Sequence, residues 1–304
     1  MNRPRLQPDP APVVDPARIG VSYSGAGNLF VVELGVAAAF IARGVRPSFI
    51  AGVSAGALTA VAHALDPEGG RGVDVAAASL GQITNRTFDL RWWQVLPRLV
   101  FGPRTSLGDN APLAAIVGRE LCQAFGLGPD PEIGAIGPPR VRIGAADRLS
   151  GEPVWFPPTQ QLGAALLASS AIPGLFPWRT LEVEGRTRVL VDGGVVSNQP
   201  LSELVLEGCG TIFAVQVGSA SGPQKTPTNL LDNAVGSFEL AIHRTSTLEE
   251  AYVAMVLGDR GRVLHVRPLL DDPISGFDFT PELVARVVAE ARRQTESWLS
   301  AEGF

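Results

Sequence analysis

Two cysteines, three histidines and no surplus of positive charge in 304 residues remove several kinds of chemistry at the outset. Cys122 and Cys209 lie in apolar surroundings, are too few for a disulfide framework and have no metal-ligand spacing. No metal site is expected, and the thiols suit a reducing compartment, so the expected location is cytoplasmic. A formal net charge of −5 withholds the basic surface that nucleic acid requires. No run of about 18 apolar residues is free of charges and prolines, so no membrane-spanning helix is expected. The reading is of a soluble protein that keeps the option of peripheral contact with a membrane surface. Residues 1–17 are proline-rich and lack an apolar run after their basic residues, which predicts a disordered lead-in and not a signal peptide. No charge run or Gly/Ser linker divides the rest, so residues 18–304 are expected to form one domain. Its 45% apolar content is enough for a large core. Nothing in the sequence indicates an oligomeric state.

What is present is a repeated grammar. Residues 19–24 form a short apolar strand ended by Gly25-Ala26-Gly27, and residues 28–43 carry apolar side chains at helical spacing before Gly44. A second strand over 47–51 leads through a glycine turn into an alanine-rich helix over 55–65. Strand, glycine turn, helix, twice over, predicts a parallel sheet with crossover helices. Residues 66–130 are less regular. Strands are predicted at 140–145 and 153–156, then a helix capped by Thr159 and running through Ser169. A hairpin over 181–191 turns near Gly185 into Asp192-Gly193-Gly194. A helix at 201–207, a strand at 211–217, helices around 230–256, a strand at 262–266 and a closing helix over 281–299 complete an α/β chain.

Gly52-Val53-Ser54-Ala55-Gly56 fits G-x-S-x-G between a strand and a helix. The chemistry needs this pattern because a tight, strained turn exposes the serine hydroxyl, and small flanking residues let neighbouring segments approach. The following helix directs its positive end at a developing oxyanion. Gly25-Ala26-Gly27-Asn28 opens like a dinucleotide fingerprint, but Phe30 stands where its third glycine belongs and no acidic residue closes the next strand. It reads either as an anion-binding nest of backbone N–H groups or as a plain strand-to-helix turn.

A triad hydrolase needs a histidine placed after the acid, near the end of the chain. His63 falls inside the helix after the nucleophile turn, His243 in a helical stretch and His265 in a strand; none sits in a glycine-rich loop. Asp192 does, before Gly193-Gly194. A buried carboxylate there accepts the serine proton, though Asp-Gly is also an ordinary turn former.

Taken in order with Ala168-Ser169-Ser170-Ala171-Ile172-Pro173-Gly174-Leu175-Phe176-Pro177, these segments resemble the patatin-like phospholipase family. The resemblance implies a three-layer α/β/α fold with a mainly parallel central sheet, and hydrolysis of acyl esters in lipids without metal or organic cofactor. It implies Ser54 as nucleophile, Asp192 as general base in a Ser–Asp dyad, and the amides of Gly25, Ala26, Gly27 and Asn28 as oxyanion donors. Ala26, Leu29 and Phe30 depart from the family's usual glycine, basic residue and glycine, whereas the small and apolar pair Gly35-Val36 agrees with it. Two functions follow: a lipid acyl hydrolase, or a catalytically silent lipid-binding or scaffold protein of the same fold, with acyltransferase activity a further variant. The stretch 88–104, with Trp92 and Trp93 among arginines, is expected to border the acyl pocket or meet lipid, as is Phe176; core packing is the equal alternative.

Overall fold

The computed structural model describes residues 12–84, 87, 106, 108–112, 117–217, 226, 230–270, 272, 274 and 279–304. Trp92, Trp93 and the stretch around them lie outside the described residues. One eight-stranded sheet organises the chain. Its strands are β1 Asp15–Tyr23, β2 Phe49–Val53, β3 Arg140–Asp147, β4 Pro153–Trp155, β5 Arg179–Val183, β6 Arg186–Asp192, β7 Cys209–Val215 and β8 Arg262–Val266. They hydrogen-bond in the order β5-β6-β3-β2-β1-β7-β8, with β4 also on β3. The run β3-β2-β1-β7-β8 is parallel, and β4, β5 and β6 are antiparallel additions at one side.

Helices cover both faces, which explains why β2 and β7 are buried along their whole length rather than alternating. Helices α1 Phe30–Ala42, α2 Ala55–Leu65, α3 Arg71–Leu80, α4 Leu162–Ser169 and α7 Pro281–Glu302 belong to the larger core, with Ile50, Phe213 and Val215 from the sheet. Helices α5 Leu201–Leu206 and α6 Leu230–Leu257 pack with Phe49, Ala51, Ile212 and Ala214 on the opposite face. The result is the three-layer α/β/α arrangement. Cys122 and Cys209 are buried free thiols, pushed up to about 11 and about 12 by burial.

Strand β3 carries the feature that places the site. Gly144 pairs with Trp155 and Ala145 with Val154, so β4 occupies one edge there. On the other edge Gly144 pairs with Val53 of β2, and the next residue, Ala145, pairs with Asp192 of β6. One edge thus passes from a parallel to an antiparallel partner within a single step. The end of β2 and the end of β6 are brought side by side, and Ser54 follows Val53 directly.

Several local expectations shift. β1 begins at Asp15, inside the expected lead-in, where the Asp15 amide donates to Gly208 O at 3.0 Å. β2 lies two residues later than the apolar run suggested, because Pro47 has no N–H for the ladder and Ser48 donates to Ile19 O instead. Helix α3 was not expected in the less regular stretch; within it a Cβ on Gly72 would lie 2.1 Å from Ala62 O, so the glycine serves the contact with α2. Thr159 is no cap. It lies in a turn, and α4 starts at Leu162, where Asp130 Oδ1 accepts the Gly163 N–H from 33 residues away. The predicted helices around 230–256 are one helix. Gly44 and Gly185 do take positive φ, 70° and 74°, as their helix-stop and hairpin roles require.

Helix α1 is apolar almost all round because it is enclosed by the sheet, α2 and α7. Gly35 is where α7 comes closest: a Cβ added there would sit 2.5 Å from Val288 O and 2.7 Å from Ala291 Cβ. Gly35→Ala should therefore destabilise by about 1–3 kcal/mol, the usual cost of overpacking, despite alanine's better helix propensity. Urea denaturation checks this, and an unchanged or raised midpoint contradicts the close crossing.

Candidate active site

Three chain segments converge at the β3 handover: the loop after β1, the turn after β2 and the end of β6. Ser54 has φ 53° and ψ −127°, a conformation that a non-glycine residue adopts only when its surroundings impose it. Those surroundings are backbone. A Cβ on Gly52 would lie 2.4 Å from Gly56 O, and one on Gly56 would lie 2.4 Å from Ser24 O. The two glycines of the motif thus let the turn close on itself and on the end of β1. Val53 and Ala55 are buried on either side, and Ala55 opens α2.

The Ser54 amide donates to Ser169 Oγ at 2.9 Å, and Ser169 Oγ donates to Gly144 O at 2.6 Å. Two residues on, Ala171 O accepts the Asp192 amide at 2.9 Å. The last residue of α4 and the segment directly after it therefore hold the serine turn and the acid. Sequence reasoning missed Ser169 in this role, although it stands in the quoted Ala-Ser-Ser-Ala block.

Asp192 is only 5% exposed. Its Oδ1 accepts the Gly194 N–H at 2.8 Å, capping the short turn Gly193–Val195. Burial raises its pKa from 3.8 to about 6, against smaller opposing effects of the Ser54 hydroxyl and the Gly194 amide. The hydroxyl is thus near enough to favour the ionised carboxylate, while Oδ2 makes no hydrogen bond of full geometry. Such bonds are commonly long before substrate binds. Gly193 must be small here: a Cβ would meet Gly144 O at 2.6 Å and Val53 Cγ1 at 2.9 Å.

In the loop after β1 the Gly25 N–H donates to Asn198 O at 3.0 Å. Gly25 also brings the loop close, since a Cβ there would lie 3.4 Å from Ser54 Cβ and 2.3 Å from Asn198 Oδ1. Asn198, which sequence reading did not single out, also crowds Gly194, at 2.7 Å from a Cβ there. Ala26 has φ −120° and Gly27 φ 55°, and they open the helical turn Gly27–Leu29 that runs into α1. The Ala26 and Gly27 amides at this start have no acceptor within the turn, whereas the Leu29 amide donates to Ala26 O at 3.0 Å. The Asn28 side chain donates to Ile274 O at 3.2 Å, and Phe30 packs edge-on against Phe279. Phe176 is buried in the larger core.

The histidines are occupied elsewhere. His63 is fully buried, shares a hydrogen bond of 2.9 Å with the Tyr23 hydroxyl through Nδ1, and is pushed down to about 3 by burial. His265 faces Glu250 and Arg267 on the edge strand β8, and His243 lies in α6. Among the described residues no His, Cys, Asp and Glu group has a metal-binding arrangement.

The family model described as patatin-like phospholipase matches residues 21–205. Lysophospholipase NTE1 of Saccharomyces cerevisiae is 45% identical over 69 residues, and that of Candida glabrata 41% over 69 residues. Each match covers 23% of this chain and only 4% of the relative's length. VipD from Legionella pneumophila superposes with a TM-score of 0.47 at 15% identity, over 96% of this chain and 67% of that one. Type III effector protein ExoU of Pseudomonas aeruginosa gives 0.44 at 16% identity, over 95% of this chain and 54% of its own.

The raised Asp192 pKa has a consequence for stability. Protonated in both folded and unfolded chains, Asp192 costs nothing below pH 3.8; the cost appears as pH rises and is complete above about 6. A shift of that size is on the order of 3 kcal/mol. Asp192→Asn should therefore melt higher than the natural chain at pH 8, with the difference vanishing towards pH 4. A difference that does not depend on pH contradicts the desolvated carboxylate.

Proposed function

The chain belongs to the patatin-like phospholipase family, and on that premise we propose that it is a lipid acyl hydrolase working through Ser54 and Asp192. The observation that carries this reading is the pairing of Val53 and Asp192 with consecutive residues of β3, which sets the strained serine beside a carboxylate with an unbonded oxygen. Ser54 Oγ attacks the ester carbonyl while its proton passes to Asp192 Oδ2. The resulting oxyanion is held by the Ala26 and Gly27 amides and the positive end of the helix after the nucleophile. Collapse expels the alcohol, which takes the proton back from Asp192, and leaves the acyl group on Ser54. Water, deprotonated by Asp192, then attacks the acyl carbonyl, and a second collapse breaks the bond to Ser54 Oγ, which takes that proton back from Asp192 as the carboxylic acid leaves.

A carboxylate of ordinary acidity is a weak base at neutral pH. Burial brings Asp192 to about 6, close to the value that serves general-base chemistry there. The relatives named lysophospholipases make single-chain phospholipids the first substrates to assay. No described helix is long and apolar enough to cross a membrane, so lipid would be met from the surface. The cytoplasmic location remains part of this proposal. The silent lipid-binding protein is the second reading, favoured by the partner that the Gly25 N–H already has in Asn198 O. Transfer of the acyl group to an alcohol other than water would make the same site an acyltransferase.

Ser54→Ala should abolish p-nitrophenyl ester hydrolysis in a protein that still melts cooperatively, a loss of several powers of ten. In the natural chain kcat/KM should rise with pH through an apparent pKa near 6, since only ionised Asp192 takes the proton. Gln or Asn at His63, His243 and His265 should leave kcat within about tenfold. Full activity in Ser54→Ala, or its disappearance in one histidine variant, would overturn the dyad.

A further inference from the structure

Glu33 is wholly buried in the otherwise almost wholly apolar helix α1, and the acyl-transfer scheme gives it no task. Its carboxyl group reaches two other elements. Ser24 Oγ donates to Oε1 at 3.4 Å, and Thr59 Oγ1 donates to Oε2 at 3.2 Å. Ser24 directly follows β1 and is the residue from which the glycine loop leaves. Thr59 stands on α2, the helix that Ser54 introduces. Glu33 itself lies in the first turn of α1, directly after that loop.

The place of this bridge matters because the same backbone touches both halves of the site. A Cβ on Gly56 would meet Ser24 O at 2.4 Å and Tyr23 O at 2.5 Å, so the end of β1 rests against the nucleophile turn. Burial holds the Glu33 carboxyl well above the usual range, while the Ser24 and Thr59 hydrogen bonds act weakly against that. Burial first, and Glu33 second, raise the neighbouring Tyr23 hydroxyl well above its usual range.

We propose that Glu33 is a positioning residue for acyl transfer: its carboxyl bridges Ser24 and Thr59 and fixes the spacing between the oxyanion loop and the nucleophile turn. The proposal rests on the acyl-hydrolase reading. Glu33 touches no reacting atom; it acts through the two segments that do. Misplacement of catalytic groups by about 1 Å can cost on the order of a hundredfold in rate, with little effect on ground-state binding.

The test compares p-nitrophenyl butyrate hydrolysis by the natural chain, Glu33→Gln, Glu33→Leu and Thr59→Val. Glutamine keeps an acceptor and a donor at the same reach, so kcat should stay within about threefold. Leucine fills the space without bridging, and kcat should fall by about 10- to 100-fold with KM changed less than about threefold. Thr59→Val should lower kcat at least about threefold alone and add little in the Glu33→Leu background, since both delete one bridge. Should the leucine variant fail to fold, the valine variant carries the same test. A leucine or valine variant as fast as the natural chain, or a glutamine variant as slow as leucine, overturns the proposal. An inactive natural chain would overturn the hydrolase reading, and the proposal with it; an active natural chain with an equally active leucine variant overturns the proposal alone.

Discussion

The edge of β3 that serves β2 and then β6 is the constraint on which the site depends. Gly144 holds Val53 and Ala145 holds Asp192, so one step of backbone ladder separates the partners of the nucleophile turn and of the acid. Hydrogen-bond register is a strict form of positioning, because a slip of one residue reverses the face each side chain occupies. The junction works only with small residues. Gly144, Gly193, Gly52 and Gly56 each meet backbone or side-chain atoms within 2.6 Å of an added Cβ. The glycines near Ser54 are thus packing requirements of a crowded corner, and only some of them serve backbone freedom.

That corner is locally unfavourable. Ser54 holds a strained backbone, Asp192 is a desolvated acid and Glu33 is a carboxyl group inside an apolar helix. Each persists because neighbours over-determine it: Ser169 and Ala171 bind the two main chains, the Gly194 N–H donates to Asp192, and Ser24 and Thr59 hold Glu33. The compensating stability comes from two apolar layers, one on each face of the sheet. Strain confined to one site and supported by an ordinary core is the usual condition of a reactive centre.

What could be read from sequence was what is decided locally. The G-x-S-x-G turn needs small residues at fixed spacing; the Gly185 hairpin and the Thr280-Pro281 helix start likewise declare themselves within a few residues. The α/β order followed from strand, glycine turn, helix. What could not be read was decided by distant partners. Asp130 caps α4 in place of Thr159, Gly72 admits the crossing of α2 and α3, and Asn198 takes the Gly25 amide. Ser169 was visible as part of a block, but its bond to Ser54 belongs to the folded sheet alone. Glu33 looked like one polar residue in an apolar helix, with no sign of the two hydroxyls that meet it.

The central claim is that the β3 handover makes Ser54 nucleophilic through Asp192. The most direct measurement is the rate and location of covalent labelling by a fluorophosphonate probe, with peptide mapping by mass spectrometry. A single adduct on Ser54 in the natural chain, forming at least about a hundredfold more slowly in folded Asp192→Asn, is the predicted result. An adduct on another residue, or labelling of Ser54 at an undiminished rate in Asp192→Asn, would contradict it.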